Sequence, residues 1–347
     1  VGVLILDASY PGHVATPDDP WVREAPNLAG TGFFRIALEP GGDGAYAATS
    51  WGLYQRPAAF AADVNWTKID GAAFPTTQVP DPANPGTNKT VKDYSTCSDV
   101  LWTKGDAGTP ERVWIWISEG AQGGLWALDK GGADFVHILP NPPAKKNPQS
   151  QRAVLAVAQP DAVPTQLYVF KDNGTGKAPS LHRVDCAGSA KPTHKPVGDV
   201  PKVLGSQGWY DIALAVHPTQ PDRLVLGSNT FKSVTAGGKT LTASGGTQDG
   251  AVVAGEVTLS SGKLKFTKTK MLGAGVHADV HDVLYTQGGN QLWVACDGGV
   301  FRSDKVDQLV GFVPMNDGLS VIESNYLACH PQCEGRVLAG LQDNGVI

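Results

Sequence analysis

Charge is scarce in this chain. Only 18% of its 347 residues are Asp, Glu, Lys or Arg, and the formal net charge is −5. No run of Lys and Arg exceeds two residues, so nucleic acid and anionic membrane are poor partners for it. Long apolar runs are missing too. None approaches the roughly 18–20 residues a membrane-spanning helix needs. The opening VGVLIL is too short, and lacks the basic flank, for a signal peptide; it reads as a strand. No stretch keeps the helical period over three turns, which predicts almost no helix. Glycine-rich phosphate loops and the GxSxG nucleophile elbow are also absent. The five cysteines (Cys97, Cys186, Cys296, Cys329, Cys333) are an odd count without a CxxC pair. Cys329 and Cys333 flank the turn CHPQC and are candidates for a disulfide; Cys296, in LWVAC, reads as a small buried hydrophobe.

Turns are what the chain has in excess. With 42 Gly and 25 Pro, it suits many short strands better than helices. A degenerate repeat bears this out. FFRIALEP (33–40), CSDVLWTK (97–104), AVLAVAQP (153–160), YDIALAVHP (210–218), HDVLYTQ (281–287) and YLACHP (326–331) are variants of one strand, spaced about 45 to 70 residues apart. Each is followed by a second apolar strand, as in AYAATS, RVWIWIS, QLYVFK, RLVLGS, QLWVAC and RVLAG. A third often starts at Gly: GLYQRP from Gly52, GLWALD from Gly124, GVFRSD from Gly299. A more polar fourth strand closes the unit, near Asn65, Ala133, Leu264 and Gly311. Four strands, inner to outer, make one propeller blade. The expected fold is all-β, one β-propeller domain over 1–347 with six or seven four-stranded blades, five of them complete here. The first run, VGVLILD, has no partner of its own and either completes a sixth blade or marks missing ones. The ends are abrupt, and a longer precursor is expected.

The last quarter of the chain carries a resemblance. HADVHDVLY, NQLWVACDGGVFRSD, MNDGLSVIESNYLACHP and RVLAGLQDNG, with QGWYDIALAVHPTQPDRLVLGS (207–228), resemble the propellers of secreted bacterial proteins related to sortilin-type receptors and xyloglucanase-type glycoside hydrolases. The resemblance implies a secreted or cell-surface bacterial protein with BNR or Asp-box-like blade turns, surviving in outline at Leu128–Phe135, Phe301–Asp304 and Asn65–Thr67. It implies a fold more than an activity, because propellers host many unrelated functions.

Candidate site residues follow from the blade pattern. Loops leading into first strands and loops joining second to third strands lie at the same end of a blade. His277, Asp279, His281, Asp297, Asp343 and Asn344 should therefore share one rim, and Gln207, Trp209, Tyr210 and Asp211 should reach it. Aromatic faces beside carboxylates and amides suit a sugar. Ligand binding is assigned to Trp209, Tyr210, His277, Asp279, His281, Asp297, Asp343 and Asn344. A glycosidase needs two carboxyl groups about 5 Å apart for retention or about 6.5–9.5 Å for inversion. Asp211, Asp279, Asp282, Asp297 and Asp343 are the candidates, and no motif selects a pair. His277, Asp279 and His281 alternate along a strand and could face one metal ion, although i and i+4 on a straight strand lie roughly 13 Å apart. No cofactor is required. FFRIALEP also resembles the Phe-Arg-Ile-Pro opening of sialidases, where the arginine, here Arg35, grips a carboxylate; Ala37 stands in place of the proline. The leading expectation is a recognition or scaffold module binding a glycan or protein at its rim. A glycoside hydrolase and a component of a larger extracellular assembly are the alternatives.

Overall fold

A computed structural model describes residues 3–6, 21–39, 44–57, 64–69, 76–80, 84, 86–92, 96–118, 123–132, 134–141, 152–159, 162–173, 179–188, 191–230, 233–236, 239–242, 250–304, 311–317, 324–329, 337–341 and 345–346. The described residues form strands, paired antiparallel except where Val197–Gly198 runs parallel to Leu264–Lys265, with two single 3-10 turns, Pro26–Leu28 and Gln287–Gly289, and no helix long and apolar enough to cross a membrane. The fold class is the expected one, an all-β architecture of four-stranded propeller blades. Two compact units emerge: Val1–Lys171 with His182–Pro196, and Asp172–Leu181 with Val197–Ile347.

In the first unit, blade 1 runs Phe33–Leu38, Ala45–Thr49, Gly52–Gln55 and Thr67–Lys68, each strand paired with the next. Blade 2 runs Cys97–Thr103, Arg112–Ile117, Gly124–Asp129 and Val136–Pro140 in the same manner. Blade 3 follows with Ala153–Ala156, Gln166–Lys171, Ser180–Asp185 and Thr193–Gly198, the last two strands lying mostly but not wholly within this unit. The unpartnered opening strand expected from the sequence does have a partner. Val3–Leu6 pairs with Trp21–Glu24 in a local hairpin, whose second strand WVRE is too short and mixed to stand out as a pattern.

The core explains why these strands stack. Every residue of Arg112–Ile117 is buried. Val113, Ile115 and Ile117 pack with Tyr46, Ala48 and Leu53 of blade 1. Trp114 and Trp116, pointing the other way, pack with Leu155, Leu167 and Val169 of blade 3. A strand covered on both faces loses the polar–apolar alternation of a half-exposed one, which is why VWIWI is continuously apolar.

The first strands are tied by charge. The fully buried Asp99 carboxylate meets Arg35 Nε of blade 1 at 2.6 Å and accepts the backbone N–H groups of Val100 and of Leu155 in blade 3. Burial holds this carboxyl above the ordinary carboxylate range, and Arg35 pulls in the opposite direction. Arg35 thus grips an internal carboxylate rather than a sialoside.

In the second unit, blade 4 runs Ile212–His217, Gln220–Thr230, Gly250–Ser260 and Lys263–Met271. Blade 5 runs Val280–Thr286, Gln291–Cys296, Gly299–Ser303 and Val313–Pro314. A three-stranded sheet, Ser324–Cys329, Val337–Leu341 and Gly345–Val346, takes the place of the expected partial sixth blade. Outside the blades lie two further ribbons, Thr76–Pro80 with Asn88–Lys92 in the first unit and Ser233–Ala236 with Lys239–Thr242 in the second. Cys97, Cys186 and Cys296 are buried and unbridged, while the Cys329–Cys333 pairing lies outside the described residues. The glycine that starts third strands has a backbone reason: Gly52, Gly124 and Gly299 have φ of 113°, 132° and 102°, values that L side chains rarely adopt.

Two outcomes follow. Arg35→Ala leaves Asp99 with its main cation removed, and urea unfolding should show a loss of roughly 3 kcal/mol, the low end for a broken buried pair because Arg35 is partly exposed. Desolvation holds His182, edge-on to His194 at 5.6 Å, down from 6.5 to about 4. The unfolded chain therefore binds the extra proton first, so stability should fall as pH drops from about 6.5 to about 4. His182→Gln should flatten that part of the urea-midpoint profile.

Candidate functional site

The rim of blades 4 and 5 in the second unit is built on two turns. The first, Gln207 to Tyr210, leads into the first strand of blade 4. Its Gln207 carbonyl accepts the N–H groups of Tyr210 at 2.8 Å and Asp211 at 2.7 Å. Gln207 Oε1 also takes a hydrogen bond from Asn229, at the end of the second strand. Held this way, Trp209 and Tyr210 each leave 48% of their surface in solvent, with ring centroids 5.6 Å apart. An aromatic ring half in water and braced from below is a stacking surface for an apolar or sugar face.

The second turn is Asp297-Gly298-Gly299, joining the second and third strands of blade 5. Asn316 clasps it, accepting from Val300 N–H at 2.8 Å and donating to the Gly298 carbonyl at 2.9 Å. A side chain on Gly299 would collide with Asn316, and one on Gly298 with His277. Beneath the turn, burial pushes the Cys296 thiol up to about 11, so it stays protonated and is no nucleophile.

His281 joins the two turns. Its Nε2 lies 2.5 Å from Asp297 Oδ1 and its Nδ1 lies 3.5 Å from Asp211 Oδ1. The shorter contact puts a proton on Nε2, donated to Asp297. The ring meets Tyr210 edge-on, centroids 4.9 Å apart. Asp211 is fully buried; Asp297 and His281 are partly exposed.

The rim expected from the sequence is largely assembled. Trp209, Tyr210, Asp211, His281 and Asp297 come together, and His277 packs beside Gly298. Asp279 adopts φ 59°, which ends the extended run before Val280. For that reason His277, Asp279 and His281 do not alternate on one straight strand. Among the described residues no three His, Cys, Asp or Glu side chains gather as a metal would require. Asp282 is exposed and accepts the next N–H, that of Val283, at 3.0 Å. Asp343 and Asn344 lie outside the described residues. Asn316 was not anticipated; its only signal is the Asn of GFVPMN at the end of a blade.

No protein-family model matches the chain, and no curated protein sequence does. Among solved structures it is similar to a GH74 enzyme of Niastella koreensis, at TM-score 0.47 and 13% identity over 91% of this chain. The chain spans about half of that enzyme, 51% of its length. It is similar to the hydrazine synthase of Kuenenia stuttgartiensis (TM-score 0.46, 13% identity, 91% of this chain and 95% of that one). It is also similar to the Cps50 (Swd1) β-propeller domain of Myceliophteria thermophila (TM-score 0.40, 12% identity, 90% and 83%). Similarity at this level says nothing of activity.

The turn yields a double-mutant test. Asn316→Ala removes two hydrogen bonds, worth about 1 kcal/mol each. Gly299→Ala adds a side chain in the left-handed region, costing roughly 1–2 kcal/mol, and a clash with Asn316. The double variant should lose less than the sum, since the new methyl enters the space Asn316 leaves. Additive urea midpoints would show that the two do not share that space.

Proposed function

We propose that the protein is an exported propeller module that binds a glycan at the rim formed by Trp209, Tyr210, His281 and Asp297. The observation that carries this reading is the pair of half-exposed aromatic rings fixed beside a carboxylate–imidazole pair. Stacking takes the C–H face of a pyranose, and the partly exposed Asp297 carboxylate, held by His281, supplies an acceptor for its hydroxyls. The bacterial source and the sortilin-type or xyloglucanase-type kinship belong to the same proposal, supported by the HADVH, DGGVFRS and GLQDNG segments.

Hydrolysis is the weaker reading for a geometric reason. The imidazole of His281 occupies the space between Asp211 and Asp297, where a glycosidase holds the scissile bond and its water. Asp211, fully buried, does not reach a sugar.

A panel of plant and microbial polysaccharides and sialosides tests both readings, by affinity electrophoresis and by assay for new reducing ends. Binding without new reducing ends is expected. Trp209→Ala and Tyr210→Ala should each weaken it about tenfold, the upper range for one stacking contact, with Tm unchanged. New reducing ends that Asp297→Asn abolishes would establish the hydrolase instead. Retention of binding in both aromatic variants would remove the site from this rim.

A further inference from the structure

The first unit holds a cavity of about 310 Å³ at the end of blades 1 and 2 where first strands turn into second strands and third into fourth. Tyr46 and Trp102 form its aromatic wall, centroids 4.9 Å apart and edge to face. Two carboxylates from different strands converge at the same place. Glu39 follows the first strand of blade 1, and its Oε2 accepts the Gly44 N–H at 3.1 Å. Glu111 precedes the second strand of blade 2 and accepts the Trp102 indole N–H at 2.8 Å. Between them sits one ammonium group, Lys130 Nζ, 3.0 Å from Glu39 and 3.1 Å from Glu111.

Three features separate this from an ordinary surface ion pair. The carboxylates are fixed from behind by a backbone N–H and an indole N–H, so their geometry does not depend on the lysine. The lysine is the loose partner: its side chain is 59% exposed against 23% and 19% for Glu39 and Glu111. It hangs from a turn at Gly131, whose φ of 78° only a residue without Cβ adopts readily. Finally, aromatic rings beside the carboxylates favour a cation through their negative faces. The Lys130 hydrogen bond holds Glu39 below its ordinary value, in keeping with a site tuned to an ammonium group.

The geometry points to a second binding site, for a primary alkylammonium group, in which Lys130 is a built-in competitor occupying the carboxylates when no ligand is present. An incoming ammonium takes the two carboxylates while its alkyl chain lies against Tyr46 and Trp102, and Lys130 swings into water. The group could belong to a small amine or to a lysine side chain of a peptide. This site is independent of the glycan rim.

The test is titration of the full chain with n-butylammonium, with Nα-acetyl-lysine amide and with n-butanol, following the Trp102 indole signal by NMR, identified with Trp102→Phe. Both cations should shift that signal and n-butanol should not. Tighter binding of the lysine amide than of butylammonium would point to peptides as the source, and the reverse to small amines; either bears the proposal out. The decisive variant is Lys130→Ala, which should bind the cations at least fivefold more tightly than the parent. Glu111→Gln should bind them at least tenfold more weakly, with Tm measured for both. A lysine that merely pins the turn would give no gain on removal. No cation-dependent shift in either the parent or Lys130→Ala, or a response to butanol equal to that of butylammonium, would overturn the assignment.

Discussion

A blade is a sheet with two faces, and the second strand of blade 2 has no polar face to offer water. Trp114 and Trp116 lie on one side of a single strand and Val113, Ile115 and Ile117 on the other, all buried. Such a sheet is stable only between two others, so blade 2 requires blades 1 and 3. Stacking also converges the first strands of successive blades, and side chains at their starts lose water. Asp99 is the consequence. Its carboxylate has no solvent, so it is answered by Arg35 from the preceding first strand and by Leu155 N–H from the following one. The hydrophobic requirement thus creates an electrostatic one, and the latter ties three successive first strands together.

The second unit repeats the device with one change. Asp211 stands at the start of its first strand as Asp99 does, equally buried, but the group facing it is His281 from the next blade's first strand. Arginine keeps its charge under all conditions and reaches from one carboxylate into solvent. The shorter imidazole has two nitrogens and spans two carboxylates, Asp211 beneath and Asp297 above. The same structural position therefore serves as a staple in one unit and, in the other, extends to a partly exposed surface edged by Tyr210 and Trp209.

Much of this was legible because it is local. Strand order, the glycine at the start of third strands and the common rim of Tyr210, His281 and Asp297 all follow from short patterns and from the alternation of strand direction. What was hidden is pairing at a distance. Arg35 finds Asp99 across 64 positions, and Lys130 finds Glu39 across 91. No local periodicity encodes which charged residues of two blades meet once the sheets stack. The spacing of His277, Asp279 and His281 is silent for a related reason: an alternating pattern does not show where the chain bends, and the left-handed backbone at Asp279 ends the extended run.

The same scarcity of charge bears on catalysis. Where carboxylates are few, one that is spent holding the fold is not available for proton transfer. Glycoside hydrolysis needs an acid and a base or nucleophile whose environments push them apart, both touching the sugar. Asp211 faces an imidazole and no solvent, while Asp297 takes the other nitrogen of that imidazole, so the two flank one ring rather than standing as opposed groups across a cleft. An arrangement of that kind is polar and already occupied by its own ring. Beside two exposed aromatic rings, those are the properties that the proposed glycan-binding reading asks of this rim.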